Sequence, residues 1–359
     1  MIRVLVVEDS PTVKELLVNI LSSDPEIKVI GTANNGEEAI EKAILNKPDV
    51  ITMDIHMPKI DGFEATRRIM ELKPVPIVIV TGSFDVREVS TSFKAMEAGA
   101  LSVVPKPKGI DHPDHEGTAK EFLQTVKLMA EVKVVKRWVY SRKYSAATVV
   151  TAARKIDIKQ APLEIKVVAV GASTGGPQVL QTIFSGLGES FPVPLLIVQH
   201  MSYGFVQGMA EWISESTGFP VYIASAGEYI LPGRAYIAPD GFHMGVENSN
   251  RIILSNDEPE GGLRPSVSYL FRSVAKVYGR NAVGVLLTGM GKDGAEGLKM
   301  MKDKGSVTIV QDESSSVIFG MPKAAIELEA ATYVLPSDKI AGALTSLVNQ
   351  GQDEGGRRV

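Results

Sequence analysis

Short, mostly apolar runs recur through the first 105 positions, at residues 4–7, 28–30, 50–53, 77–80 and 101–104. They are rich in β-branched side chains, too short for helices, and largely lack the apolar–polar alternation of a half-exposed strand. That is the pattern of strands buried on both faces. Between them the apolar positions adopt a helical spacing: in 37–45, Ala39, Ile40, Ala43 and Ile44 share one face. Five strands alternating with helices predict a five-stranded doubly wound parallel sheet, closed by a helix near 119–132. A second alternation begins near residue 165. The runs 166–170, 195–199, 283–288 and 307–310 predict a larger doubly wound α/β unit, with an antiparallel excursion formed by 235–238 and 251–254.

The stretch 133–159 breaks this rhythm. It carries eight Lys or Arg and one acid, Asp157, and reads as an interdomain linker; docking on an acidic partner or an anionic membrane is the alternative. The expected division is a first domain over 1–122, a linker over 123–163, a second domain over 164–350 and a disordered polar tail over 351–359. A chain of 359 residues accommodates two domains. The net charge of −4 gives no basis for electrostatic capture of nucleic acid. The absence of cysteine excludes disulfides, a thiolate nucleophile and sulfur-ligated zinc. The first apolar run is interrupted by Glu8 and Asp9, unlike an export signal, and no segment is long enough to insert in a membrane. A cytoplasmic protein is expected.

Chemistry-bearing residues fall where the predicted strands end. Glu8 and Asp9 follow the first strand and Asp54 the third; Thr81 ends the fourth and Lys106 follows the fifth. In a doubly wound sheet the carboxyl ends of the strands line one crevice. Three carboxylates converging there repel one another unless a cation is present, and Mg²⁺, which takes hard oxygen ligands, is the natural one. A lysine and a hydroxyl beside it hold phosphoryl oxygens, so the chemistry expected is phosphoryl transfer to a carboxylate. Each acid alone reads equally as a helix N-cap or a solvated loop residue; the coincidence of five residues at strand ends favours the site.

The stretches Val6-Val7-Glu8-Asp9-Ser10, Met53-Asp54-Ile55-His56-Met57-Pro58, Asp61-Gly62, Thr81-Gly82 and Lys106-Pro107 resemble bacterial response-regulator receiver domains. The resemblance implies Asp54 as phosphoacceptor, with a histidine kinase as phosphodonor. It implies Glu8, Asp9, Asp54 and the main-chain carbonyl of His56 as the Mg²⁺ site, and Thr81 and Lys106 as phosphoryl contacts. Val103 stands where many receivers carry the aromatic residue of their switch.

In the second unit, Gly171-x-Ser173-x-Gly175 leaves a buried strand through a glycine-rich turn into a helix. This matches a nucleophile elbow, whose sharp turn exposes the serine beside helix N–H groups. A structural tight turn is the plainer reading, and a phosphate loop lacks its Gly-Lys-Ser/Thr signature. The serine needs a base. Of the five histidines, His56 lies in the receiver loop. His112 and His115 lie in a loop that reads as solvated, with metal binding the alternative. His200 ends the strand after the serine's helix, which a right-handed crossover brings close to Ser173. His243 is the less natural base and is expected at most to line the site. Asp293, at another strand-to-helix edge, is the candidate orienting carboxylate, with a helix N-cap as the alternative.

The stretches Gly171–Pro177, Gln199-His200-Met201, Leu231-Pro232-Gly233-Arg234, Arg264-Pro265-Ser266-Val267, Leu287–Ala295 and Gln311–Pro322 resemble the chemotaxis protein-glutamate methylesterases. The resemblance implies a phosphorylation-regulated serine esterase with Ser173, His200 and Asp293 as its triad and no cofactor in the esterase domain. With it go backbone N–H groups near Thr174 and Met290 as the expected oxyanion donors. It implies glutamate γ-methyl esters on the cytoplasmic helices of membrane chemoreceptors as substrates, and a scheme that also accommodates glutamine deamidation. The receiver is expected to gate access to the serine. Ser268 stands where this family commonly has aspartate, a change expected to act on substrate contacts or local capping. Two rivals are a receiver-linked transcription factor, which would carry a small basic helical output domain, and a catalytically silent scaffold, against which Ser173, His200 and Asp293 stand together.

Overall fold

The computed structural model describes residues 1–82, 85–132, 134, 164–188, 191–248 and 250–355, with side chains to 349. The chain divides into two compact units between residues 146 and 147. The basic stretch 133–159, Val134 apart, lies outside the described residues.

In the first unit β1 (Ile2–Val7), β2 (Ile27–Ala33), β3 (Val50–Met53), β4 (Ile77–Thr81) and β5 (Ser102–Pro105) form a parallel sheet in the order β2-β1-β3-β4-β5. The intervening helices are α1 (Pro11–Ser22), α2 (Gly36–Asn46), α3 (Gly62–Leu72), α4 (Val86–Glu97) and α5 (His115–Ala130). Asn35, Asp61 and Asp85 start α2, α3 and α4 by accepting the N–H groups of Glu38, Glu64 and Arg87. The sheet core is aliphatic, as the runs predicted, with Leu5, Ile51, Ile77 and Ile79 fully buried.

Helix α5 crosses the boundary expected at 122/123. Phe122, Val126 and Met129 on it are buried, and burying each such side chain is worth about 1.5–3 kcal/mol. The first unit therefore keeps its chain to at least residue 130, and a solvated tether cannot start at 123.

The second unit is built on a seven-stranded, wholly parallel sheet. Its strands are β6 (Val167–Ala172), β7 (Leu195–Gln199), β8 (Val221–Ile223), β9 (Ala235–Ile237), β12 (Ala282–Leu286), β13 (Val307–Gln311) and β14 (Tyr333–Leu335). They run in the order β14-β13-β12-β6-β7-β9-β8. A separate antiparallel pair joins β10 (His243–Glu247) to β11 (Arg251–Ser255). Helices α6 (Gly176–Leu187), α7 (Val206–Thr217), α8 (Val267–Tyr278), α9 (Ala295–Asp303), α10 (Met321–Glu327) and α11 (Ser337–Gly355) complete the unit. Every residue of β6, β7, β12 and β13 is buried, as continuous apolar runs require of central parallel strands.

Two expectations are corrected. Residues 235–237 do not belong to the antiparallel excursion. They form β9, parallel to both β7 and β8, and the partner of β11 is β10. A short apolar run states burial but not strand direction; direction here is set by the path of residues 224–234 between β8 and β9. The tail expected to be disordered from 351 is helical to Gly355, because polarity is equally compatible with an exposed helical end. Residues 356–359 lie outside the described residues.

Candidate functional site

In the first unit the five predicted residues meet at the carboxyl edge of the sheet. Glu8 and Asp54 are buried, Asp9 is exposed, and carboxylate oxygens of all three lie within 4.8 Å of one another. Lys106 Nζ lies 2.8 Å from Glu8 Oε2 and donates to Asp54 Oδ2 at 3.1 Å. Asp54 Oδ1 accepts the Ile55 N–H at 2.8 Å. Thr81, almost fully buried, ends β4 and accepts the Lys106 N–H on its carbonyl. Burial first, then the Asp54 carboxylate, pushes the Glu8 pKa up, against the Lys106 ammonium and the Ser10 N–H that pull it down. Burial acts most strongly on Lys106 and lowers its pKa, but Glu8 and Asp54 together outweigh it and hold that pKa above the usual lysine value.

This donor set fits a hard divalent cation. Glu8 Oε2 is buried and meets Lys106 as a charge contact outside hydrogen-bonding geometry, so it has no hydrogen-bond donor. His56, exposed two residues after Asp54, has a carbonyl that accepts no hydrogen bond among the described residues. His112 and His115 do not form a comparable cluster. His112 Nδ1 accepts the Asp114 N–H, and His115 Nδ1 bonds the Lys108 carbonyl at 2.7 Å. Val103 packs partly buried against the sheet core.

In the second unit Ser173, His200 and Asp293 are carried to one edge by β6, β7 and the segment after β12. The Ser173 N–H donates to the Thr288 carbonyl at 3.0 Å, and the His200 N–H to the Ala172 carbonyl at 2.9 Å. The serine is thus tied to both neighbouring strand ends. Gly175, at φ +79°, makes the turn into α6, a conformation costly to any residue with a Cβ. A Cβ on Gly289 would lie 2.6 Å from Ser173 Cβ, so this loop packs against the serine only as glycine. No side chain caps α6; its first N–H, of Gly176, donates to the Ser173 carbonyl at 2.8 Å.

His200 Nε2 meets Asp293 Oδ2 at 3.0 Å, both side chains being 11% exposed. Asp293 is held from four further directions. Oδ2 accepts the Val267 N–H at 2.7 Å, and Oδ1 accepts the Ser268 and Gly294 N–H groups and the Ser266 hydroxyl. Burial pushes the Asp293 pKa up, but the hydrogen bonds from His200 and Ser268 more than offset it and hold the carboxyl far below the usual aspartate range. The carboxylate is thus ionised and fixed.

His243 is fully buried at the start of β10. Its Nδ1 accepts the Ser266 N–H at 3.1 Å, which places the ring proton on Nε2, 3.2 Å from the Glu258 carbonyl, and the ring stacks on Tyr269. Both nitrogens are engaged, so His243 supports the turn that grips Asp293 rather than lining the site. Ser268 acts in the same place: its N–H donates to Asp293, and its hydroxyl accepts the Gly294 N–H at 2.8 Å. Ser268 therefore makes local hydrogen bonds around Asp293.

Nothing in the sequence alone gives Ser266 or Gln199 a role. The Gln199 side chain donates to the carbonyls of Ser173 and His200, both at 2.8 Å, and so clamps the two loops together. The signal for it was a buried glutamine immediately before the candidate base.

The two sheets and the clusters at their carboxyl edges mark a receiver domain joined to a doubly wound α/β output domain with a candidate serine-hydrolase site. Family models agree: residues 4–113 match the response regulator receiver domain and residues 168–344 the CheB methylesterase. The chain is 58% identical, over 97% of both chains, to a protein-glutamate methylesterase/protein-glutamine glutaminase of Nitrosospira multiformis. It is 54% identical, over 97% of this chain and 99% of the relative, to one from Geobacter metallireducens. The catalytic domain of Thermotoga maritima CheB methylesterase, 39% identical, superposes with a TM-score of 0.50 over 52% of this chain and all of that one. This chain belongs to the family of receiver-linked protein-glutamate methylesterases. Among the described residues no helix is long and apolar enough to cross a membrane.

Proposed function

We propose that this protein is a phosphorylation-controlled serine esterase that removes γ-methyl groups from glutamates on the cytoplasmic helices of chemoreceptors, and that deamidates glutamines there by the same route. The observation that carries the reading is the His200–Asp293 contact at 3.0 Å, on the strand edge that bears Ser173. Because Asp293 takes Nε2, Nδ1 is the nitrogen left to act as base. Ser173 Oγ attacks the ester carbonyl as His200 removes its proton, and the imidazolium is stabilised by a carboxylate that stays ionised. Backbone N–H groups at Thr174 and Met290 receive the oxyanion, each such donor being worth about 3–4 kcal/mol of barrier. His200 returns the proton to the departing methanol, or to ammonia when the substrate is glutamine. Water, activated by the same nitrogen, then releases glutamate and regenerates Ser173.

In the receiver, Glu8, Asp9 and the His56 carbonyl would hold Mg²⁺ beside Asp54. The ion, when bound, neutralises the carboxylates and the incoming phosphoryl oxygens. Asp54 accepts the phosphoryl group from a histidine kinase, and Lys106 and the Thr81 hydroxyl contact it. The cellular site of action is the cytoplasmic face of the receptor membrane. The test is methanol release from methylated receptor membranes, with and without a small phosphodonor and Mg²⁺. No methanol, or equal release by Ser173→Ala, sinks the reading.

A further inference from the structure

A cavity of about 260 Å³ lies beside the catalytic edge, lined by Gln199, Met201, Tyr203, Asp240, Pro259 and Arg264 among others. Gln199 and Met201 flank His200. Asp240 follows β9, the strand next to β7, so it stands at the same carboxyl edge one strand beyond the base. Its Oδ2 accepts the Gly204 N–H at 2.9 Å, from the loop that leaves His200. Its Oδ1 has no hydrogen-bond partner and no cation among the described residues. Burial pushes the Asp240 pKa up, against the Gly204 N–H. On the other wall Arg264 donates through Nη1 to the carbonyls of Asn256 and Asp257, and has no carboxylate partner among the described residues.

An unpaired acceptor and an uncompensated guanidinium facing one cavity complement a group that donates and accepts at once. A carboxamide does both. A carboxylate is repelled by Asp240, an ammonium by Arg264, and an alkyl group leaves both polar groups unpaired. Ser173 and Asp240 are two strand spacings apart, about 10 Å. An α-helix advances that far in about seven residues, so a helix with its ester at Ser173 passes a neighbouring side chain over the cavity.

We propose that this cavity is a specificity subsite that binds the carboxamide of a glutamine or asparagine lying one to two turns from the reacting glutamyl ester on the substrate helix. The –NH₂ donates to Asp240 Oδ1 and the carbonyl accepts from Arg264. The proposal rests on the esterase reading above. It makes Asp240 and Arg264 selectivity residues rather than participants in bond breaking.

The experiment uses the full-length, phosphorylated enzyme and receptor helical fragments with one methyl ester. Each fragment carries Gln, Glu, Lys or Leu at positions four and seven residues to either side. Ratios of kcat/KM for methanol release, taken within each enzyme, cancel any general loss of activity. Wild type is expected to favour the Gln fragment over the Glu fragment by about tenfold, the order of one charge-assisted hydrogen bond at a partly exposed site. Asp240→Asn keeps an oxygen for the Gly204 N–H but turns an –NH₂ into the cavity, so the preference should flatten or reverse toward Glu. Arg264→Ala should raise the Lys fragment relative to Gln. A wild type indifferent to the flank, or an Asp240→Asn variant with unchanged ratios, overturns the subsite while leaving the esterase intact. Methanol from none of the fragments overturns the esterase reading itself, and the subsite with it.

Discussion

The imidazole of His200 offers Nε2, not Nδ1, to Asp293, at 3.0 Å from Oδ2. The contact places the ring proton on Nε2 and leaves Nδ1 as the nitrogen that the proposed mechanism uses as base. Asp293→Asn should therefore lower kcat by about 10³–10⁴-fold with little change in KM, because an amide can stabilise the wrong tautomer. A loss confined to KM would show that Asp293 binds substrate instead.

The same carboxylate makes a pH prediction. Its pKa is depressed in the folded protein, so the unfolded chain binds the proton more readily. The stabilisation is present above the ordinary aspartate pKa of about 3.9 and lost as pH falls through and below it. Wild type should lead Asp293→Asn in urea-unfolding stability at pH 7, and the gap should narrow below about pH 4. A gap that widened on acidification would contradict the assignment.

Ser173→Ala should reduce methanol release by about 10⁴-fold or more while leaving the thermal midpoint within a few degrees of wild type, since only one partly buried hydroxyl is removed. Retention of a tenth of the activity would rule out the serine as nucleophile.

The two candidate histidines should separate cleanly. His200→Ala should abolish turnover in a stably folded protein. His243→Ala should instead destabilise by about 2–4 kcal/mol, because it empties a buried ring position and strands the Ser266 N–H. Its activity should fall only as far as the Asp293 turn loosens. Calorimetry with kcat on the same preparations tests this; a stable, inactive His243→Ala would reverse the roles.

In the receiver, a small phosphodonor with Mg²⁺ should raise esterase activity, and Asp54→Ala or chelation of the metal should abolish that rise without removing basal turnover. A coupling of about 3 kcal/mol corresponds to roughly 100-fold activation. A rise that survives in Asp54→Ala would place the phosphorylation elsewhere.

The two α/β units, and the residues at their strand ends, were legible from the order of residues. Continuous apolar runs state burial on both faces, and in a parallel sheet the carboxyl edge follows from strand order. Glu8, Asp9, Asp54, Thr81 and Lys106 were therefore legible as one cluster, and Ser173 and His200 as neighbours, before any coordinate. What the pattern could not state was strand direction and partner choice: Ala235–Ile237 reads the same whether it joins β7 in parallel or a hairpin. Nor could it state where α5 stops, since that depends on whether Val126 and Met129 find a core to enter. The contacts that separate the two histidines came only with the packed chain, although strand order already favoured His200 as the base. His200 and His243 are equivalent as letters. One ends at a carboxylate 93 residues away in the chain, and the other is walled in by Ser266, Glu258 and Tyr269. Such contacts are long-range hydrogen bonds made by loops, whose geometry no local periodicity encodes.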